Sequence, residues 1–140
     1  MLKRILCFAM VGIFISSTVA MAGESEKINA ALTAAKKWLA IVDGGKYSDS
    51  WKESSEYFRQ AVSQEQWEQA VQGVRKPLGK VLSRKKMSAT YTTSLPGAPD
   101  GEYVVIQFAT SFANKKSGVE TITPMMDKDG VWRVSGYYIK

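Results

Sequence analysis

An α+β fold, with N-terminal helices packed on a curved four-stranded antiparallel sheet, is predicted by changes of pattern along the 140 residues. As far as Gly79 the apolar residues recur at helical spacing; beyond it they alternate, in segments rich in Thr, Ser, Tyr and Val. The alternating segments follow one another through short links, which favours antiparallel pairing over a parallel sheet with long crossovers.

The first helix is marked by Ile28, Ala31, Leu32, Ala35, Trp38, Leu39 and Val42, which form one stripe when wound at 3.6 residues per turn. Ser25 is placed to cap its start, and Gly44-Gly45 to end it in the left-handed conformation. Lys27, Lys36 and Lys37 then face water. Trp51, Ser54, Ser55, Phe58, Ala61 and Val62 continue the period from Tyr47 in a second, short or broken helix, with Ser48 or Asp49 as its cap. Ser63 and Gln66 have capping-box spacing, and Trp67, Ala70, Val71 and Val74 form the apolar face of a third helix that Pro77 and Gly79 stop. Strands are expected over Val81 to Ser94, Val104 to Phe112, Val119 to Asp127 and Val131 to Ile139. Leu95 to Gly101, with two prolines and two glycines, links the first pair; Asn114 to Gly118 and Lys128-Asp129-Gly130 turn the others. Such a sheet, wrapped round the first helix, makes a cone with one face partly open, a shape that often holds a pocket.

The N-terminal residues set the compartment. Lys3 and Arg4, an apolar run from Ile5 to Val19, and Ala20-Met21-Ala22 read as a secretory signal peptide cut after Ala22. The run is shorter than the ~20 apolar residues of a spanning helix, and Cys7 precedes most of it, unlike a lipid-modified cysteine. Residues 1–22 are thus assigned to the leader and 23–140 to a single domain in the periplasm or secreted, which works without a disulfide because Cys7 is the only cysteine. Without the leader, 17 basic residues face 13 acidic ones, a net +4 that does not nominate nucleic acid as a partner.

Ser50-Trp51, Arg75-Lys76-Pro77-Leu78-Gly79, Leu95-Pro96-Gly97-Ala98-Pro99-Asp100-Gly101-Glu102-Tyr103 and Trp132-Arg133-Val134-Ser135-Gly136-Tyr137-Tyr138-Ile139 resemble a family of small exported bacterial proteins, domain of unknown function 4019. The likeness runs from the first helix to Lys140. It implies a periplasmic protein with a cystatin-like or nuclear-transport-factor-like fold, and it carries over no catalytic residues.

Residue chemistry narrows the function further. The whole chain has no His, and the predicted mature part has no Cys, so the commonest general base, metal ligand and thiol nucleophile are missing. Asp127, Glu120, Tyr91, Tyr103, Tyr137 and Tyr138 are the groups available to a pocket-type isomerase or hydrolase, the alternative reading. Asp127-Lys128-Asp129-Gly130 looks like part of a Ca²⁺ loop but lacks the downstream Glu, so no metal is expected; with no glycine-rich phosphate cradle, no cofactor is expected either. Trp51, Phe58, Phe108, Phe112 and Trp132 are candidate contacts for a small apolar ligand, while Trp38 and Trp67 suit the core. Arg75, Lys76, Lys80, Arg84, Lys85 and Lys86 form a basic stretch that could meet an acidic envelope component, although solvating a helix end and blunting an exposed edge strand is the favoured reading. The leading expectation is a non-enzymatic ligand-binding or protein-interaction module, with dimerisation through the sheet as a further option.

Overall fold

The computed structural model describes residues 17–140, with side chains from Gly23 onward. Lys3, Arg4, Cys7 and most of the apolar run lie outside the described residues. Four helices, α1 (Ser17–Asp43), α2 (Tyr47–Lys52), α3 (Glu56–Ala61) and α4 (Gln64–Leu78), precede four strands, β1 (Val81–Thr92), β2 (Tyr103–Phe112), β3 (Lys115–Met126) and β4 (Trp132–Ile139). The strands form one open antiparallel sheet in sequence order, so β1 and β4 are its edges. Among the described residues no helix is long and apolar enough to cross a membrane.

α1 lies on one face of the sheet and buries the stripe expected of it: Ala31, Leu32, Ala35, Trp38, Leu39 and Val42 pack with Val104, Ile106, Phe108, Ile122, Trp132 and Val134. The alternation of β2 fits this, since Val104, Ile106, Phe108, Thr110 and Phe112 all point to the helix side. Burying side chains of this size stabilises by about 1.5–3 kcal/mol each before conformational entropy is counted, which makes this layer the source of the fold.

Several local expectations need correction. Ser25 sits inside α1, which begins at Ser17, so it caps nothing. Lys27 does not simply face water: it reaches Glu102 at 2.6 Å and stands 5.3 Å from the Tyr91 ring centre. α2 begins after Lys46 with no side-chain cap, and Ser48 and Asp49 lie within it. The break in the second helical stretch falls at Ser54-Ser55: Ser55 caps α3, and its N–H donates to Val134 on β4. The capping box of Ser63 and Gln66 forms as expected. Only part of the expected α4 face is covered, however; Trp67, Val71 and Arg75 are buried, whereas Ala70 and Val74 are exposed, because that row of the helix meets α1 and α2.

The β2–β3 turn is also tighter than the Gly118 position suggested, with β3 already under way at Lys115. Gly118 is needed for space within the strand: a Cβ there would lie 3.0 Å from the Thr110 carbonyl oxygen and 3.1 Å from the Phe112 ring. The long link before β2 is pinned at its base, where Tyr103 donates to the Pro99 carbonyl and Gly101 to that of Thr93.

Candidate functional site

The sheet side beneath the C-terminal end of α1 is not purely apolar. Glu120, at an inward position of β3 between Gly118 and Ile122, is wholly buried, at 0% exposure. Antiparallel register brings Thr110 of β2 and Arg84 of β1 alongside one another, and β4 supplies Tyr137, opposite Ile122. From above, α1 contributes Asp43 and α4 contributes Arg75.

These groups close a network. Arg84 grips Glu120 as a fork, Nε to Oε1 at 2.7 Å and Nη2 to Oε2 at 3.2 Å. Thr110 donates to Oε1 and Tyr137 to Oε2. An ionised carboxylate has about four acceptor positions, and four donors occupy them here. Arg84 also donates to Asp43, through Nη1 at 2.8 Å and Nη2 at 3.1 Å, and Arg75 Nη2 donates to the same carboxylate at 2.8 Å. Two guanidinium groups therefore balance two carboxylates. Arg75 is 6% exposed, and its Nε and Nη1 find no hydrogen-bond partner among the described residues. Its guanidinium carbon lies 5.3 Å from the centre of the Phe112 ring, a cation–π contact that offsets part of that loss.

Proton affinities follow from this packing. Burial works to raise the pKa of Asp43, but the hydrogen bonds from Arg84 and Arg75 outweigh it and hold the carboxyl below its usual value. Burial also works against the charge on Arg84, yet the hydrogen bonds to Asp43 and Glu120 leave it more firmly protonated than usual. Burial, then the neighbouring Glu120 charge, pushes the Tyr137 hydroxyl well above the ordinary tyrosine range. The arrangement holds charge in place: both oxygens of Glu120 are taken up by donors within the protein, while Asp43 keeps contact with solvent.

Of the residues singled out for apolar ligand binding, Phe108 and Trp132 belong to the core cluster and Trp51 and Phe58 pack against it. Trp51 is half-buried and its indole donates to the Val62 carbonyl at 2.8 Å. Phe58 meets Trp67 edge-on at 5.1 Å. Phe108 is part of the core, Phe112 lies beneath Arg75, and Trp132 lines a cavity of about 140 Å³ with Trp38, Ala34 and Ile41. Ligand pockets commonly enclose ~300–1,000 Å³, so that cavity is small. Trp38 and Trp67 are core residues, and Ser50 fixes both: its carbonyl accepts from Trp38 Nε1 at 2.8 Å, and its hydroxyl accepts from Trp67 Nε1 at 2.9 Å.

The basic stretch divides in two. Arg75 and Arg84 turn inward to Asp43 and Glu120, while Lys76, Lys80, Lys85 and Lys86 are exposed. Of the groups considered for catalysis, Asp127 lies at the β3–β4 turn, where Arg133 binds it at 3.0 Å and Asp129 at 2.9 Å, leaving no open cation loop. Tyr91 donates to Glu102, Tyr103 is buried against Pro99, and Tyr138 is exposed on β4. Among the described residues no three His, Cys, Asp or Glu side chains are grouped to hold a metal ion.

Sequence reasoning noted Glu120 and Tyr137 singly and missed their union with Asp43, Arg84, Arg75 and Thr110. The available signal was a charged residue at an inward position of an alternating strand, since such a residue must be paired. Neither a curated protein nor a solved structure matched the chain. A family model described as "Protein of unknown function (DUF4019)" matched residues 34–137, a span that takes in α1 from its middle, the whole network and nearly all of the sheet. The chain belongs to that family.

Proposed function

We propose that the chain is an exported envelope protein, periplasmic or secreted, that acts as a non-enzymatic interaction module through its surface. The observation that carries this reading is the saturation of Glu120: a buried carboxylate with four donors on it serves the fold and has no acceptor left for chemistry. The small cavity beside Trp38 and Trp132 supports it, since it leaves little room for an enclosed substrate. Lys3, Arg4, the apolar run and Ala20-Met21-Ala22 support export.

The mark of a pocket-type isomerase or hydrolase of this architecture is a carboxylate pointing into a closed apolar cavity. Glu120 faces Arg84, Thr110 and Tyr137 instead. The test is fractionation of producing cells followed by lysine-directed crosslinking. The expected result is a periplasmic chain beginning at Gly23, with crosslinks to envelope components through exposed lysines. A cytoplasmic chain retaining residues 1–22 would refute export. Turnover of an ester or enolisable ketone, lost in a folded Glu120→Gln variant, would refute the non-enzymatic reading.

A further inference from the structure

We propose that one end of the sheet docks on an anionic lipid surface. This deepens the surface reading above and rests on it for the compartment. Lys76 and Lys80, at the end of α4 and the entry to β1, line a depression of about 520 Å³. Lys85 of β1 and Lys116 of β3 line another, of about 400 Å³, with Met87, Ala109 and Val119. Backbone hydrogen bonds tie the two regions together, from Ala113 N–H to the Lys80 carbonyl and from Asn114 N–H to the Leu78 carbonyl. The β2–β3 turn thus brings Lys115 and Lys116 to the end of the sheet that carries Lys76 and Lys80, with Lys85 and Lys86 further along β1, opposite Ala109 and Phe108. The linear sequence separates these two groups by almost thirty positions.

No ion pair is formed by any of these six lysines among the described residues. The nearby carboxylates do not neutralise them, because Asp43 is held by Arg75 and Arg84, and Glu120 is buried under Arg84. At the opposite end of the sheet Glu102 is paired with Lys27, and Asp127 and Asp129 with Arg133. Other lysines, Lys128 in the β3–β4 turn among them, also form no ion pair among the described residues, but these six come from stretches with no Asp or Glu between Glu68 and Asp100 or between Glu102 and Glu120, which gives their surface a positive field that favours a negative partner.

Two apolar side chains distinguish a lipid surface from a soluble acidic polymer. Leu82 and Met87 stand out from β1 among the lysines, 54% and 56% exposed. Both fall at irregularities of the β1–β2 pairing, between Val81 and Ser83 and between Lys86 and Ser88. Lysines that meet headgroups while apolar tips enter the interface form the pattern of a peripheral membrane contact.

The test is cosedimentation with vesicles of phosphatidylethanolamine and phosphatidylglycerol, against vesicles of phosphatidylcholine. The chain is used as recovered from cells, with its N-terminus read by mass spectrometry, so failure of export and failure of docking are seen separately. Expected is retention on the anionic vesicles alone, weakening steeply as salt rises from about 0.05 to about 0.5 M. K76Q/K80Q/K85Q/K116Q should lower the partition coefficient about tenfold or more while circular dichroism stays unchanged. L82S/M87S should lower it too, with the salt dependence kept. Equal retention on phosphatidylcholine, or retention indifferent to the four lysines, would overturn the proposal. So would binding to soluble polyglutamate that matches the vesicles and ignores L82S/M87S, since that result assigns the surface to an acidic polypeptide.

Discussion

Replacing Glu120 with Gln removes one of two negative charges from a network of two guanidiniums, and leaves Asp43 alone to balance Arg75 and Arg84. It also puts amide hydrogens where Arg84, Thr110 or Tyr137 now donates. Breaking a buried charge pair from one side costs about 3–5 kcal/mol, because the remaining charge stays buried without its counterpart. Arg84 keeps some contact with solvent and with Asp43, which places the expected loss near the lower value, about 3 kcal/mol. For a domain of this size an unfolding entropy of ~2.1 cal/mol/K per residue turns that loss into a fall in Tm of about 12 °C. Thermal unfolding followed by circular dichroism reads the shift directly. The double variant Arg84→Met with Glu120→Leu removes both charges and leaves the Asp43–Arg75 pair balanced, so it should be less damaging than the sum of the single changes, although the Thr110 and Tyr137 hydroxyls lose their acceptor. A fall in Tm below about 3 °C in Glu120→Gln, or a double variant whose loss equals the sum of the two single losses, would refute the reasoning.

Acid should weaken the fold. The Asp43 carboxyl is depressed in the folded chain, so the unfolded chain takes up the proton first and stability declines as pH falls below about 4. Urea midpoints across that range should show the decline, and Asp43→Asn, less stable at neutral pH, should show a flatter acid limb. Tyr137 is displaced the opposite way, upward, so the unfolded chain loses that proton first and stability declines as pH rises above about 10. In absorbance titration Tyr137 should be among the tyrosines that stay silent until alkaline unfolding, with the buried Tyr103 also shifted upward, and Tyr137→Phe should lower the number of silent groups by one. Ser50→Ala strips the acceptor from the buried Trp67 indole, a loss of about 1–3 kcal/mol in denaturant unfolding with no change of fold. A loss under about 0.3 kcal/mol would show that Ser50 does not fix Trp67.

The layers of the fold were legible because burial is periodic. The stripe from Ala31 to Val42 and the alternation from Val104 to Phe112 each record which side meets the other, and the structure joins those two sides. Ends of elements were less legible. Ser25 has a capping side chain but lies within a helix that begins earlier, and α2 starts without a side-chain cap. Gly118 resembles a turn residue in sequence, yet its lack of a side chain is required by Phe112 and the Thr110 carbonyl across the sheet. The network was hidden for a similar reason. Asp43 and Glu120 are 77 positions apart, Arg84 belongs by sequence to a run of exposed lysines, and only the register of β1, β2 and β3 with the end of α1 brings them together. The same register gathers Lys115 and Lys116 beside the basic stretch, while Arg75 and Arg84 leave that surface for the interior.

The proposal that this protein acts through its surface and not through an enclosed ligand is tested most directly by native mass spectrometry of the chain recovered from producing cells. The predicted spectrum shows the bare mass of residues 23–140, unchanged when the same sample is denatured. A small molecule that travels with the folded chain and is released on unfolding would contradict the claim.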